Sequence, residues 1–361
     1  MAKVLMKGNE AIAEAAVRAG CLNYFAYPIT PQSEIGEYLA HRLPEAGGLF
    51  LQAESETAVV YMLYGAAGCG ARAFTSSSSP GISLMSEGIS YLVGAQLPAV
   101  FVNIMRCGPG LGGILPSQAD YFQAVKGAGH GDCRMFVLAP ASVQEAADMM
   151  ADAFELADKY RNPVMVLGDG LIGQMMEPVS FKENQDLTME NKNAWATTGM
   201  SGRGGNTPNL VKSLHLDPAI LNKHNLNLKA KFERMAREDM RWEMYNAEGD
   251  YQVLIVSFGT MSRVCRTAVD MLRAKGIETA LLRPITLFPF PEEQIATAAD
   301  RSCCRAVLSV EMNMGQMVED VKRSVGRHKP VSWYGKCGGE VPTPEEVAGV
   351  VEKIIADIDK T

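Results

Sequence analysis

The sequence predicts an α/β protein of two unequal domains, the first built on a parallel sheet wrapped by helices on both faces. Three observations carry this. Short apolar runs alternate with helical patterns through the first half of the chain. A polar stretch over 178–248 interrupts the alternation, and a second strand–helix pattern begins near Val253. The length of 361 residues suits two domains of roughly 150 residues each with chain left for a linker.

The elements follow in order. Residues 9–19 (NEAIAEAAVRA) have helical periodicity, and Gly20 stops them. An apolar run ends at Tyr27-Pro28, and a helix is expected from Pro31 to Leu43 with proline in its first turn. Leu49–Leu51 reads as a short strand, 55–68 as a small-residue helix and Ala73–Thr75 as a strand. The run Ser76–Ser79, Pro80, Gly81 opens a helix to Leu92. Pro98–Ile104, Met135–Leu138 and Pro163–Leu167 read as buried strands, with an amphipathic helix over 142–160. Residues 1–177 thus make the first domain. Residues 178–248, rich in Asn, Lys, Met and Gly with one helix near 226–245, form a connector expected to wrap a partner. Residues 249–361 make the smaller domain. Its strands are Val253–Phe258, Thr279–Leu282 and Ala306–Val310; its helices lie at 261–275, at 315–325 and at 343–358, and PFPEEQ opens another.

Composition bounds the function. With 47% hydrophobic and 21% charged residues the chain is globular and not disordered. A net charge of −7 without any basic run argues against nucleic acid. No apolar run reaches the roughly 18 residues of a membrane span, and Lys3, Lys7, Glu10 and Glu14 are unlike a signal peptide. A cytoplasmic chain is expected. Its eight cysteines form no CxxC pair and its five histidines no ligand spacing. Iron–sulfur clusters and zinc need close thiolates, so no metal site is expected here and any redox centres sit elsewhere.

Ligands of a parallel sheet lie beyond the carboxyl ends of its strands. Four loops there are unusual. Tyr27-Pro28-Ile29-Thr30-Pro31 presents a threonine before a helix, either as a ligand group or as a plain N-cap. Gln52-Ala53-Glu54-Ser55-Glu56 precedes an uncharged helix expected to be buried on nearly all faces. Glu56 therefore enters a dry place, where an isolated carboxyl holds its proton more tightly; a favourable acid at a helix start is the other reading. Thr75–Gly81 lets a ligand approach backbone amides. Asn103–Gly113 sets Arg106 between a buried strand and a glycine-rich loop, as a carboxylate fork or an internal ion pair. Gly168-Asp169-Gly170, with Asn191 and Asn193 downstream, matches half of a diphosphate–magnesium signature, but the polar run between argues for a mere strand end.

In order, YPITPQSE, QAESE, FTSSSSPGISLM and NIMRCGPGLGGILPSQADYFQA resemble the alpha-type subunit of 2-oxoacid:ferredoxin oxidoreductases, and LRPITLFPFPEEQI and VLSVEMNMGQMVEDV resemble that family's second domain. The likeness is greatest to VorB-type subunits, linked to 3-methyl-2-oxobutanoate. It implies the doubly wound parallel sheet of a thiamine-diphosphate-enzyme pyrimidine domain plus a smaller transketolase C-terminal-like α/β domain. It also implies a cofactor shared with a beta-type subunit that binds its diphosphate and Mg2+. Gamma-type and ferredoxin-like subunits would carry iron–sulfur clusters, with ferredoxin as acceptor and coenzyme A as co-substrate.

By the resemblance, Glu56 is the cofactor-activating glutamate, with Glu54 the weaker candidate. Thr30 contacts substrate, and Arg106 binds its carboxylate. Tyr27, Ser79 and Gly81 join Glu56 around the cofactor. Cys107 departs from the glycine expected after the arginine. The chemistry suits these positions. Decarboxylating a 2-oxoacid needs an electron sink, which the thiazolium supplies, and a buried carboxyl at pyrimidine N1′ favours the reactive imino tautomer. A pyruvate or 2-oxoglutarate enzyme is the alternative within the class; a non-catalytic scaffold is the alternative outside it.

Overall fold

A computed structural model describes residues 3–181, 192–199 and 207–360. The first half runs β1 (Val4–Lys7), α1 (Gly8–Arg18), β2 (Asn23–Ala26), α2 (Ser33–Glu45), β3 (Leu49–Gln52), α3 (Glu56–Gly68) and β4 (Ala73–Ser77). It continues through α4 (Pro80–Leu84), α5 (Ser86–Gly94), β5 (Ala99–Met105), α6 (Tyr121–Lys126), β6 (Phe136–Leu138), α7 (Val143–Tyr160), β7 (Pro163–Asp169), α8 (Gly170–Gln174) and β8 (Met176–Val179). The second half holds α9 (Pro218–Asp239), β9 (Trp242–Tyr245), β10 (Val253–Val256), α10 (Gly259–Ala274), β11 (Thr279–Pro284) and β12 (Thr286–Phe288). It closes with α11 (Glu292–Asp300), β13 (Ala306–Glu311), α12 (Met317–Val325), β14 (Val331–Gly335) and α13 (Pro344–Ile358).

The large sheet has seven strands in the order β12-β6-β7-β5-β4-β2-β3. The central strand β5 is buried along its whole length and pairs in parallel with β4 and β7, Phe101 lying between Thr75 and Met165. Apolar residues on both faces of such a strand follow from helices covering both sides. On one face Ile12, Leu39 and Phe154 of α1, α2 and α7 pack on Phe74, Val100 and Val164. On the other, Val59, Leu63 and Ile89 of α3 and α5 join one core with Leu254, Phe258 and Leu282 of the second half.

The smaller sheet runs β14-β13-β10-β11-β9, parallel except for β9. Two of its features correct the expected segmentation. The connector's helix lies at Pro218–Asp239, earlier than 226–245, because Asp217 caps it through Ala219 N and Pro218 opens it; the connector then gives β9 to this sheet. The strand β12, beyond residue 249, pairs antiparallel with β6 and so belongs to the large sheet. Arg283, 2% exposed, joins the halves: its guanidinium meets both carboxylate oxygens of Glu145 and donates to Ala139 O at 3.2 Å.

Candidate active site

The four unusual loops leave the carboxyl ends of β5, β4, β2 and β3, neighbours in the sheet. Strand register therefore gathers them along one edge.

Glu56 opens α3 just after Ser55, whose hydroxyl caps the helix by accepting from Ala58 N at 3.2 Å. Its side chain is 6% exposed and makes no hydrogen bond to another described residue. The start of α4 lies directly against it: a Cβ on Gly81 would fall 2.8 Å from Glu56 Oε1 and collide with Ser77 Oγ. The hydroxyls of Thr75, Ser77 and Ser78 are buried without partners. Each such orphan costs about 1–3 kcal/mol; the Ser77 hydroxyl is the one that lies with the Glu56 carboxyl beside Gly81, so a carboxyl, a glycine and an unpartnered hydroxyl meet where α4 begins. The remainder of α3 differs from expectation. Val59, Val60, Leu63 and Ala67 face the core, whereas Thr57, Tyr61 and Gly65 form an exposed, uncharged stripe at helical spacing.

Arg106 follows β5 and is 8% exposed. Its Nη1 donates to the Thr30 carbonyl at 3.1 Å and its Nη2 to the Leu111 carbonyl at 3.5 Å, while Nε is buried without a partner. No described carboxylate lies within ion-pair distance of the guanidinium, so the internal ion pair is not what holds it. A buried guanidinium bound only by carbonyls keeps its charge for an incoming anion. Thr30 is exposed, and Gln32, not Thr30, occupies the N-cap position of α2, which starts at Ser33. Arg106 and Thr30 are thus brought together.

Arg106 and Ser79 line a cleft of about 760 Å³ whose far wall comes from the second half, at Met312, Asn313, Met314, Gln316, Cys337 and Gly338. Arg106 is the one Lys or Arg among its lining residues. Tyr27 is not in this cleft. It lines a separate depression of about 340 Å³ with Gln32, Phe50 and Gln52.

Sequence reasoning missed Asp120. Its Oδ2 accepts from Ser79 Oγ at 2.6 Å and from Asn103 Nδ2 at 3.0 Å. Burial pushes its carboxyl pKa up, against those two hydrogen bonds and the charge of Arg106. An acid just before a short helix gives no sign of this in the sequence. Gly168-Asp169-Gly170 is the end of β7: Asp169 accepts from Leu171 N at 3.0 Å and Ile172 N at 3.1 Å and so caps α8. Asn193 lies in a short turn, and Asn191 lies outside the described residues. Among the described residues no group of three or more His, Cys, Asp or Glu is placed to hold a metal ion, and no helix is long and apolar enough to cross a membrane.

Comparison with known proteins agrees with the motifs. The family described as "Pyruvate flavodoxin/ferredoxin oxidoreductase, thiamine diP-bdg" matches residues 14–232, and "Pyruvate:ferredoxin oxidoreductase core domain II" matches 252–347. Ketoisovalerate oxidoreductase subunit VorB of Methanothermobacter thermautotrophicus is 48% identical over 98% of this chain and 97% of its own length. The 2-oxoglutarate synthase subunit KorA of Archaeoglobus fulgidus is 37% identical over 96% of this chain and 98% of its own. Among solved structures, the 2-oxoglutarate:ferredoxin oxidoreductase of Magnetococcus marinus, with 2-oxoglutarate, coenzyme A and succinyl-CoA bound, superposes with a TM-score of 0.87 at 27% identity. That match covers 97% of this chain, which spans 65% of the length of the other. A split-gene transketolase, at TM-score 0.57 and 15% identity, shares the fold. The chain belongs to the pyruvate flavodoxin/ferredoxin oxidoreductase family, with the thiamine-diphosphate-binding unit first and core domain II after it.

Proposed function

We propose that this chain is the alpha-type subunit of a thiamine-diphosphate-dependent 2-oxoacid:ferredoxin oxidoreductase, with 3-methyl-2-oxobutanoate as its favoured substrate. Two observations carry this reading: the buried Glu56 side chain set against the start of α4 at Gly81, and the buried Arg106 guanidinium, held by carbonyls alone, on the cleft wall. When bound, thiamine diphosphate supplies the electron sink that decarboxylation requires. Glu56 holds a proton toward N1′ of its pyrimidine. The hydroxyls around Gly81 and Ser79 accept the polar face of the ring. Arg106 grips the substrate carboxylate in the cleft, and the neighbouring Thr30 fixes its orientation. Tyr27, expected beside the cofactor, lines a separate depression and takes no part in the cleft.

The cleft also favours a particular substrate. It offers one cation, so a monocarboxylate is matched, whereas the distal carboxylate of 2-oxoglutarate would be desolvated without a partner from this chain. Pro80, Pro109, Met312 and Met314 suit an apolar side chain. Pyruvate fits the same charge pattern and fills less of it.

A beta-type subunit completes the cofactor site and holds the Mg2+; the uncharged stripe at Thr57, Tyr61 and Gly65 beside Glu56 is a surface suited to it. Gamma-type and ferredoxin-like subunits carry the iron–sulfur clusters, coenzyme A takes the acyl group, and the complex works in the cytoplasm. The test is a panel of 2-oxoacids on the complete complex, with reduced ferredoxin as the readout. The highest kcat/KM is expected with 3-methyl-2-oxobutanoate; preference for 2-oxoglutarate overturns the substrate assignment. Undiminished decarboxylation by a complex lacking this chain makes it a scaffold.

A further inference from the structure

We propose that Asp120 is a positioning residue through which the second half of the chain sets the aim of Arg106; this rests on the function proposed above. Asp120, Ser79, Asn103 and the backbone of Arg106 form a closed set of hydrogen bonds. Arg106 N donates to Ser79 Oγ at 3.0 Å, and Ser79 Oγ donates to Asp120 Oδ2 at 2.6 Å. Asn103 donates to the same Asp120 oxygen at 3.0 Å and accepts Ser79 N at 3.1 Å. Ser79 sits at φ 25°, a region that residues other than glycine seldom hold. Its surroundings must therefore hold it there, and the 2.6 Å bond from its hydroxyl to Asp120 is the shortest of those that do so.

The segment bearing Asp120 is in turn fixed from the other half. Gln118 donates to Phe258 O at 2.8 Å and accepts Met312 N at 3.1 Å, and Asn313 donates to Gln118 O at 2.9 Å. On the other side, Gln316 donates to Ala119 O at 2.7 Å and accepts Phe122 N at 2.8 Å. Both flanks of Asp120 are thus tied to the far wall of the cleft. Displacing that wall moves Asp120, and Asp120 moves the start of α4 and the loop of Arg106. Without the carboxylate, the Ser79 hydroxyl has another acceptor ready in Arg106 O, 3.3 Å away, and the link to the second half is lost.

The experiment uses the complete complex carrying wild-type chain, Asp120→Ala, Asp120→Asn or Gln316→Ala. Two quantities are read: steady-state kinetics with 3-methyl-2-oxobutanoate, and the calorimetric Kd for the same acid after thiamine diphosphate is removed. Asp120→Ala is expected to raise KM and Kd together by about tenfold or more, with a smaller fall in kcat, the scale of a carboxylate receptor displaced by a fraction of an ångström. Asp120→Asn, which keeps an acceptor for Ser79, recovers most of both. Gln316→Ala, which keeps the Asp120 side chain but cuts the bonds to Ala119 and Phe122 on its flanks, shifts them the same way by less. Unchanged KM and Kd in Asp120→Ala, or a fall in kcat alone, overturns the proposal. If Asp120→Ala does not assemble, unchanged values in Gln316→Ala overturn it. A wild-type complex that turns over no 2-oxoacid removes the proposed function, and the role of Asp120 with it.

Discussion

Glu56 and Gly81 are a fitted pair: the space that a Cβ would take at position 81 lies 2.8 Å from Oε1 of Glu56, where two helices begin side by side. The glycine is needed for its missing side chain and not for its backbone freedom, since its φ is not positive.

Gly81→Ala is therefore expected to displace the Ser77 hydroxyl, which the new Cβ would strike, and with it the Glu56 carboxyl. Overpacking of this kind costs about 1–3 kcal/mol, so the denaturation midpoint should fall modestly while turnover falls much further. Equal, small losses in both would mean that the site does not depend on this contact.

Glu56→Gln keeps the shape and removes the acid. Assembly and thermal stability are expected to stay as in wild type, with turnover lower by about 10²-fold or more, the scale for losing acid–base assistance. Wild-type turnover in this variant would remove Glu56 from the mechanism.

Arg106→Ala removes the free cation of the cleft. KM for the 2-oxoacid should rise and kcat should fall. Arg106→Lys is expected to recover only part of the loss, because an ammonium cannot repeat the fork that also reaches the Thr30 and Leu111 carbonyls. Kinetics unchanged in Arg106→Ala would leave the guanidinium a purely structural part.

His224 gives the connector a pH dependence. Its Nε2 is 2.8 Å from the Gly94 carbonyl and its ring 4.9 Å from that of His215. Burial, and then the charges of His215 and Lys231, lower its pKa from the ordinary 6.5, against the Gly94 bond that raises it. The folded chain thus binds the proton less readily than the unfolded chain. The resulting stability is complete above pH 6.5 and is lost as pH falls below it. Thermal unfolding on either side of that pH should show the loss in wild type and a smaller one in His224→Gln; equal losses would place the acid sensitivity elsewhere.

Much of this was legible because local signals and tertiary demands agreed. Val100, Val102 and Ile104 are apolar and β-branched and sit in a strand buried on both sides. Ser142 and Glu145 mark the start of α7, and the structure uses the serine as its cap. The elements that escaped are those for which pairing partners, not propensity, decide. Thr286–Phe288 is too short to stand out among prolines and becomes a strand only because β6 offers an edge. Trp242–Tyr245 joins β11 in the same way. At the site, Glu56 and Arg106 could be found because each is a charge at the border of an uncharged run. Asp120 could not, since its meaning lies in Ser79 and Asn103, distant in sequence. The exposed stripe of α3 is illegible for a related reason: an uncharged helix face shows that water is to be excluded, but not whether this polypeptide or another excludes it.

One short strand has a larger consequence. Because Thr286–Phe288 completes the sheet begun by the first half, a gene cut between the halves would not release two independent folding units. The amino-terminal fragment would expose the unpaired backbone of Phe136–Leu138, an open border that invites self-association. Any natural fission of such a polypeptide must leave this handshake intact across the break.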